Sequence, residues 1–143
     1  MKPPPDLIRR QQATQATLNK FKGKPFDWAK GHHCAALLRF HLKKAGRAVP
    51  PLPPMRNVLA AQRELAARSC ADMADILSKV MKLEPISAAQ MLPGDLVAVA
   101  SECGTGSVLV YAGQNKVFGW SEAEPRLVVW AADMAQFQQA FRV

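Results

Sequence analysis

Residues 25–42, PFDWAKGHHCAALLRFHL, set a cysteine beside two histidines where a loop gives way to a helix. Cys34, Leu37, Leu38, His41, Leu42 and Ala45 recur at the spacing of one helix face, whereas Arg39, Lys43 and Lys44 fall elsewhere. The pattern predicts a helix from Cys34 to Ala45, closed by Gly46, with Cys34 in its first turn and facing the rest of the fold. A thiol placed there meets unpaired backbone N–H groups and the positive end of the helix dipole, both of which favour the thiolate.

That position suits a nucleophile, but an unassisted thiol is only about 3% ionised at neutral pH, so a cysteine hydrolase adds a histidine within hydrogen-bond reach. The chain has three histidines, His32, His33 and His41. His41 lies seven residues along the helix, about 10 Å of rise, whereas a working dyad needs roughly 3 Å. His32 or His33 reaches the sulfur only if the entry loop folds one imidazole back over it. A metal set of His32, Cys34 and His41 lacks a fourth ligand and any known spacing, so neither metal nor cofactor is expected.

Working outward, 143 residues read as one domain, long enough to bury a core without staples. Three cysteines, Cys34, Cys70 and Cys103, show no C-x-x-C pairing, which argues against a disulfide framework and fits folding in a reducing cytoplasm. The N-terminus has no apolar signal core, and the longest apolar runs are strand-sized, so neither export by that route nor a membrane span is expected. The net charge of +8 is concentrated: residues 1–50 hold eleven Lys/Arg against Asp6 and Asp27, while residues 51–143 hold eight against nine acids. Such a bias suits an anionic partner (nucleic acid, a cell-wall polymer or an acidic protein face) or else a solvated helix surface.

Three stretches follow one another. Residues 1–24 form a basic arm and a helix from an Asp6 N-cap to about Phe21. Residues 25–83 are a helical half holding the Cys34 helix, the stiff connector VPPLPP at 49–54, and two further helices at about 56–68 and 71–81. Residues 84–143 are an antiparallel β half with strands at about 95–100, 107–112, 116–120 and 126–130, a hairpin turn at 113–115, and a closing helical turn before a C-terminal tail. Helices first and a meander second is an α+β layout.

With these elements placed, the order F-x-W-x-x-G-x-x-C, then P-G-D-L-V at 93–97, then S-V-L-V-Y-A-G at 107–113 resembles the NlpC-type, papain-like cysteine peptidases of cell walls. It is also similar to a small uncharacterised phage and prophage family encoded among tail genes. Trp28 through Cys34, Gly94-Asp95-Leu96 and the ending Ala140-Phe141-Arg142-Val143 carry that second likeness. The resemblance implies a papain-like fold, with N-terminal helices packed on a small antiparallel sheet or half-barrel.

Carried over by residue, it puts Cys34 at the nucleophile, Ser107 where the base histidine would stand, and Gly119 where a polar group would orient that base. His33 replaces an acidic residue before the cysteine. Such a chain would be a pseudoenzyme made in the bacterial cytoplasm and carried in the virion as a tail-tip or baseplate protein. Lys2, Arg9, Arg10, Lys20, Lys22 and Lys24 would then dock onto neighbouring tail subunits. An active peptidoglycan hydrolase using Cys34 with His32 or His33 is the first alternative, and a nucleic-acid binder the second. In either structural case Trp28 and Phe26 pack under the helix start, and Asp95 fixes the turn after Pro93-Gly94.

Overall fold

The computed structural model describes residues 4–51, 55–101, 104–121 and 123–143. Lys2, Cys103 and the last three residues of VPPLPP lie outside the described residues.

The first helix, α1, spans Pro4–Phe21, three residues earlier than an Asp6 cap predicts. Proline is tolerated at a helix start because its missing N–H has no helical partner there. Asp6 therefore sits inside the first turn, 3.4 Å from Arg10 Nε one turn on. The second helix, α2, spans Cys34–Lys44, as its apolar spacing requires, and buries Ala35, Leu37, Leu38, His41 and Leu42. Helix α3, Val58–Ala67, starts at Asn57, whose side chain accepts from Ala60 N at 2.8 Å. Helix α4, Met73–Asp75, widens directly into a π-helical turn over Ile76–Val80, closed by a bond from Met81 N to Ile76 O. The regular helix expected over 71–81 is thus over-wide in its second half.

Six strands among the described residues form one antiparallel sheet, ordered β1-β6-β2-β3-β4-β5. They are β1 Glu84–Ile86, β2 Leu96–Val99, β3 Ser107–Gly113, β4 Lys116–Ser121, β5 Glu124–Ala131 and β6 Phe137–Arg142. The expected four strands correspond to β2 through β5. Gln114 and Asn115 both take positive φ, of 53° and 59°, in the tight turn joining β3 to β4.

The expected closing helical turn is a 3-10 turn at Met134–Gln136, and the tail after it is strand β6, inserted between β1 and β2. Two adjacent glutamines and a register shift opposite Ala98 and Val99 obscure its alternation. Pro85 disguises β1, which as an edge strand can leave a backbone position without an N–H donor.

Alternation divides the strands between two cores. Leu96, Ala98, Val108, Val110, Phe118 and Trp120 pack toward the helices against Leu37, Leu38, Leu42 and Leu77. Val97, Leu109, Val117 and Ala140 pack on the other face with Met91. Each fully buried leucine or phenylalanine contributes about 1.5–3 kcal/mol, so the helix-side cluster dominates.

A polar tie closes the fold. Asp95 is fully buried, and its Oδ2 accepts from Leu92 N at 2.8 Å, so it does fix the Pro93-Gly94 turn. Its Oδ1 accepts from Arg10 Nη1 at 2.9 Å and from Val143 N at 3.0 Å, while Arg142 Nε stands 3.5 Å from Oδ2. Arg10 also donates to the Val143 oxygen. Gly94 takes φ +94°, and a Cβ there would lie 3.1 Å from Thr14 Oγ1, so glycine is required on two grounds.

Candidate functional site

The loop that delivers Cys34 is closed by two backbone bonds of 2.9 Å between Asp27 and His32. Asp27 Oδ1 accepts from Ala29 N at 3.0 Å and Lys30 N at 3.3 Å, and Gly31 takes φ +75° to reverse the chain. His33 then caps α2, its Nδ1 accepting from Ala36 N at 3.3 Å. Cys34 follows as the first helical residue and is half-buried.

Across the interface, the Ser107 hydroxyl at the start of β3 lies 3.7 Å from the Cys34 sulfur. The position aligned with the base is therefore at the thiol, and a serine occupies it. Gly119, aligned with the orienting group, has no side chain to offer, and a Cβ there would come within 2.7 Å of Leu109 Cδ2. Thiol and base position thus meet, with a hydroxyl in place of an imidazole, whereas a side chain at Gly119 would point at Leu109.

Both upstream histidine rings stack on tryptophans. The His33 ring stacks on Trp28 at 5.1 Å while its Nδ1 serves the helix cap. Burial, with the neighbouring His32 charge second, holds the His33 pKa below the ordinary imidazole value. The His32 ring stacks on Trp120 at 6.5 Å, and its buried Nδ1 has no hydrogen-bond partner among the described residues. Neither imidazole makes a hydrogen bond to Cys34 among the described residues.

His41 is fully buried and ties three elements: its Nε2 lies 2.7 Å from Gly94 O and its Nδ1 2.9 Å from Thr17 Oγ1. A carbonyl can only accept, so Nε2 carries a proton toward Gly94 O, while the single Thr17 proton is shared between Ala13 O at 2.8 Å and the His41 Nδ1 contact. Burial is the first cause of its lowered pKa, partly offset by the Gly94 hydrogen bond. His41 thus stands in a different network from Cys34, and the three residues of the metal alternative are not brought together.

Trp28, Cys34, Met55, Leu65, Met73 and Ile76 line a cavity of about 30 Å³ beside the sulfur, with Glu64 and Thr105 also at its wall. Trp28 and Phe26 meet edge to face at 5.2 Å beneath the helix start, as expected, although Phe26 itself remains exposed. The wall is a place for an apolar side chain or a methylene group rather than for acid–base chemistry.

Of the predicted partner-binding residues, Arg9, Lys20, Lys22 and Lys24 are exposed. Arg10 is not available: its side chain is 11% exposed and bound to Asp95. The reading of Arg10 as a docking residue is corrected accordingly, because a buried carboxylate across the fold claims its charge. Sequence reasoning missed the Thr17–His41–Gly94 and Arg10–Asp95–Val143 networks. Their only signal was that polar residues fell on otherwise apolar helix faces.

Among the described residues, no helix is long and apolar enough to cross a membrane. No curated protein sequence matches the chain. Solved structures do resemble it in fold. The P60 domain of the M. avium paratuberculosis antigen MAP1272c shares 20% identity, with 96% of each chain covered and a TM-score of 0.59. The NlpC/p60 domain of the peptidoglycan hydrolase SagA shares 18% identity over 93% of this chain and 98% of that one, with a TM-score of 0.59. RipD of Mycobacterium tuberculosis, described as a non-catalytic NlpC/p60 domain protein adapted to peptidoglycan binding, shares 16% identity over 94% and 97%, with a TM-score of 0.57. At these identities the likeness establishes an NlpC/p60, papain-like fold. The family model described as "Domain of unknown function (DUF6950)" matches residues 7–143, and the chain belongs to that family.

Proposed function

We propose that the protein is a non-hydrolytic structural or assembly component of a phage tail, at the tip or baseplate, built on the NlpC/p60 fold. The observation that carries the non-hydrolytic part is Ser107 Oγ at 3.7 Å from Cys34 Sγ. A serine hydroxyl does not accept a thiol proton at neutral pH, so the site lacks the step that activates the nucleophile. The tail role is supported by the likeness of the Trp28–Cys34, Gly94–Leu96 and Ala140–Val143 motifs to a family encoded among tail genes. RipD supports the idea that this fold can be kept for binding after catalysis is lost.

A lysate-grown virion preparation analysed by mass spectrometry tests the tail role; consistent absence of the chain from particles that encode it overturns the role. Cell-wall zymography of the intact chain beside Cys34→Ser tests the chemistry. No lytic band from either is expected, and a band lost in Cys34→Ser restores the hydrolase reading. A second reading, peptidoglycan binding without cleavage, is favoured by the fold likeness to RipD. Co-sedimentation with purified sacculi separates it from the first.

A further inference from the structure

The outer surface of the α1–α2 hairpin carries cations that the fold does not use. Arg9, Lys20, Lys22, Lys24, Lys44 and Arg47 are all exposed, and none forms an ion pair among the described residues. The nearby carboxylates are occupied, Asp6 by Arg10 and Asp27 by the Ala29 and Lys30 amides.

These charges form a band. Thr17 meets His41, Phe21 meets Phe40, and the Arg9 guanidinium lies beside Gly46, so α1 and α2 run antiparallel. Arg9 and Lys20 are eleven residues apart, about three helical turns, so both lie on one stripe of α1, separated by about 17 Å. Lys20 Nζ stands 5.0 Å and Lys44 Nζ 5.5 Å from the centre of the Phe40 ring, which joins the two helices' charges at mid-band. Arg47 extends the band beside Arg9. At the other end Arg126 reaches the Gly23 carbonyl between Lys22 and Lys24, adding another cation.

We infer that this band binds the phosphate backbone of double-stranded DNA without reading its sequence. A protein partner fits less well, because interface cores are depleted in lysine, which supplies four of the band's seven cations. At the centre of the band Phe40 is half-buried with two ammonium groups over its ring, so it offers neither a docking knob nor a stacking platform for unpaired bases, and the exposed Phe26 lies at the band's end, past Lys24. About 17 Å spans roughly five phosphates of one strand, and Arg9, Arg47, Lys44 and Lys20 fall along that length, with Lys22, Lys24 and Arg126 beyond it. The inference is independent of the tail proposal and stands or falls without it.

Fluorescence anisotropy with two labelled 20-base-pair duplexes of unrelated sequence tests it. Equal affinities are expected, with a logarithmic salt slope of about −4 and a roughly 250-fold loss between 50 and 200 mM salt. Lys20→Gln/Lys44→Gln should reduce the slope by about 2, whereas Lys82→Gln/Lys116→Gln, with the same change in net charge outside the band, should leave it unchanged. Arg9→Gln/Lys24→Gln provides a second band variant in case the loss of ammonium groups from Phe40 disturbs packing, with circular dichroism checking the fold of each. Absence of binding at 50 mM salt, equal weakening by the control pair, or competition by polyglutamate as effective as by unlabelled duplex overturns the inference; the last outcome assigns the band to an acidic protein.

Discussion

Arg10 and Asp95, far apart in sequence, meet at 2.9 Å with the carboxylate fully out of solvent. Around that pair the first helix, the turn before β2 and the last strand are joined by charge-assisted hydrogen bonds. Removing Asp95 leaves the nearly buried Arg10 with only the partly exposed Asp6 as counter-charge and strips Leu92 N and Val143 N of their acceptor, at a cost of about 3–5 kcal/mol. Asp95→Ala should therefore lower the urea midpoint by far more than Lys79→Ala, whose exposed pair with Asp75 is worth little. Equal midpoints for the two variants would show that the tie is not structural.

Ser107 occupies the place of a base, so Ser107→His should put an imidazole beside the Cys34 sulfur. A neighbouring imidazolium stabilises a thiolate, so alkylation of Cys34 at pH 6–7 should accelerate about tenfold or more over the parent chain. Iodoacetamide kinetics across pH, with Cys34→Ser as background, read this directly. An unchanged rate profile sinks the assignment of position 107.

Restoring a full catalytic set meets a steric obstacle at Gly119. A Cβ there would sit 2.7 Å from Leu109 Cδ2, and Leu109 is itself buried in the core on that face of the sheet. Gly119→Ala should cost about 1–3 kcal/mol of stability in urea unfolding. Pairing it with Leu109→Ala should recover part of the loss by vacating the space, and no recovery in the double variant would place the strain elsewhere.

Burial lowers the pKa of both His33 and His41 in the folded chain. Each takes up a proton less readily folded than unfolded, so its contribution is complete above the ordinary imidazole value near 6.5 and is lost as pH falls through the lowered folded value. Thermal stability should therefore drop between pH 7.5 and pH 5, above the range in which carboxylates such as Asp75 titrate. His33→Asn keeps a cap acceptor for Ala36 and removes one titrating group, so its Tm should depend less on pH than that of the parent. A parent Tm that is flat across this window contradicts the assignment.

What could be read from the residues depended on whether periodicity survived. The Cys34 helix was legible because its apolar face is unbroken, and β2 through β5 because each alternates or is continuously apolar between clear turns. Strand β6 was not, since Gln138 and Gln139 interrupt its pattern and a register shift moves Phe137 out of phase. The site was partly legible: aligning the glycine at the end of β3 was enough to bring Ser107 to the thiol. Arg10 and His41 were misjudged or left unassigned because nothing local to a helix reveals a partner some 50 to 85 positions away.

The placement of β6 inside the sheet also bears on how the chain is made. Strands β1 and β2 are complete in sequence long before residues 137–142 leave the ribosome, yet each must wait for those residues to supply its neighbour. Until then the nascent chain exposes two unpaired edges and lacks the Arg142 and Val143 contacts to Asp95. Such late, non-local closure favours slow folding, because the loop-closure entropy is lost before the β1–β6 and β2–β6 contacts form.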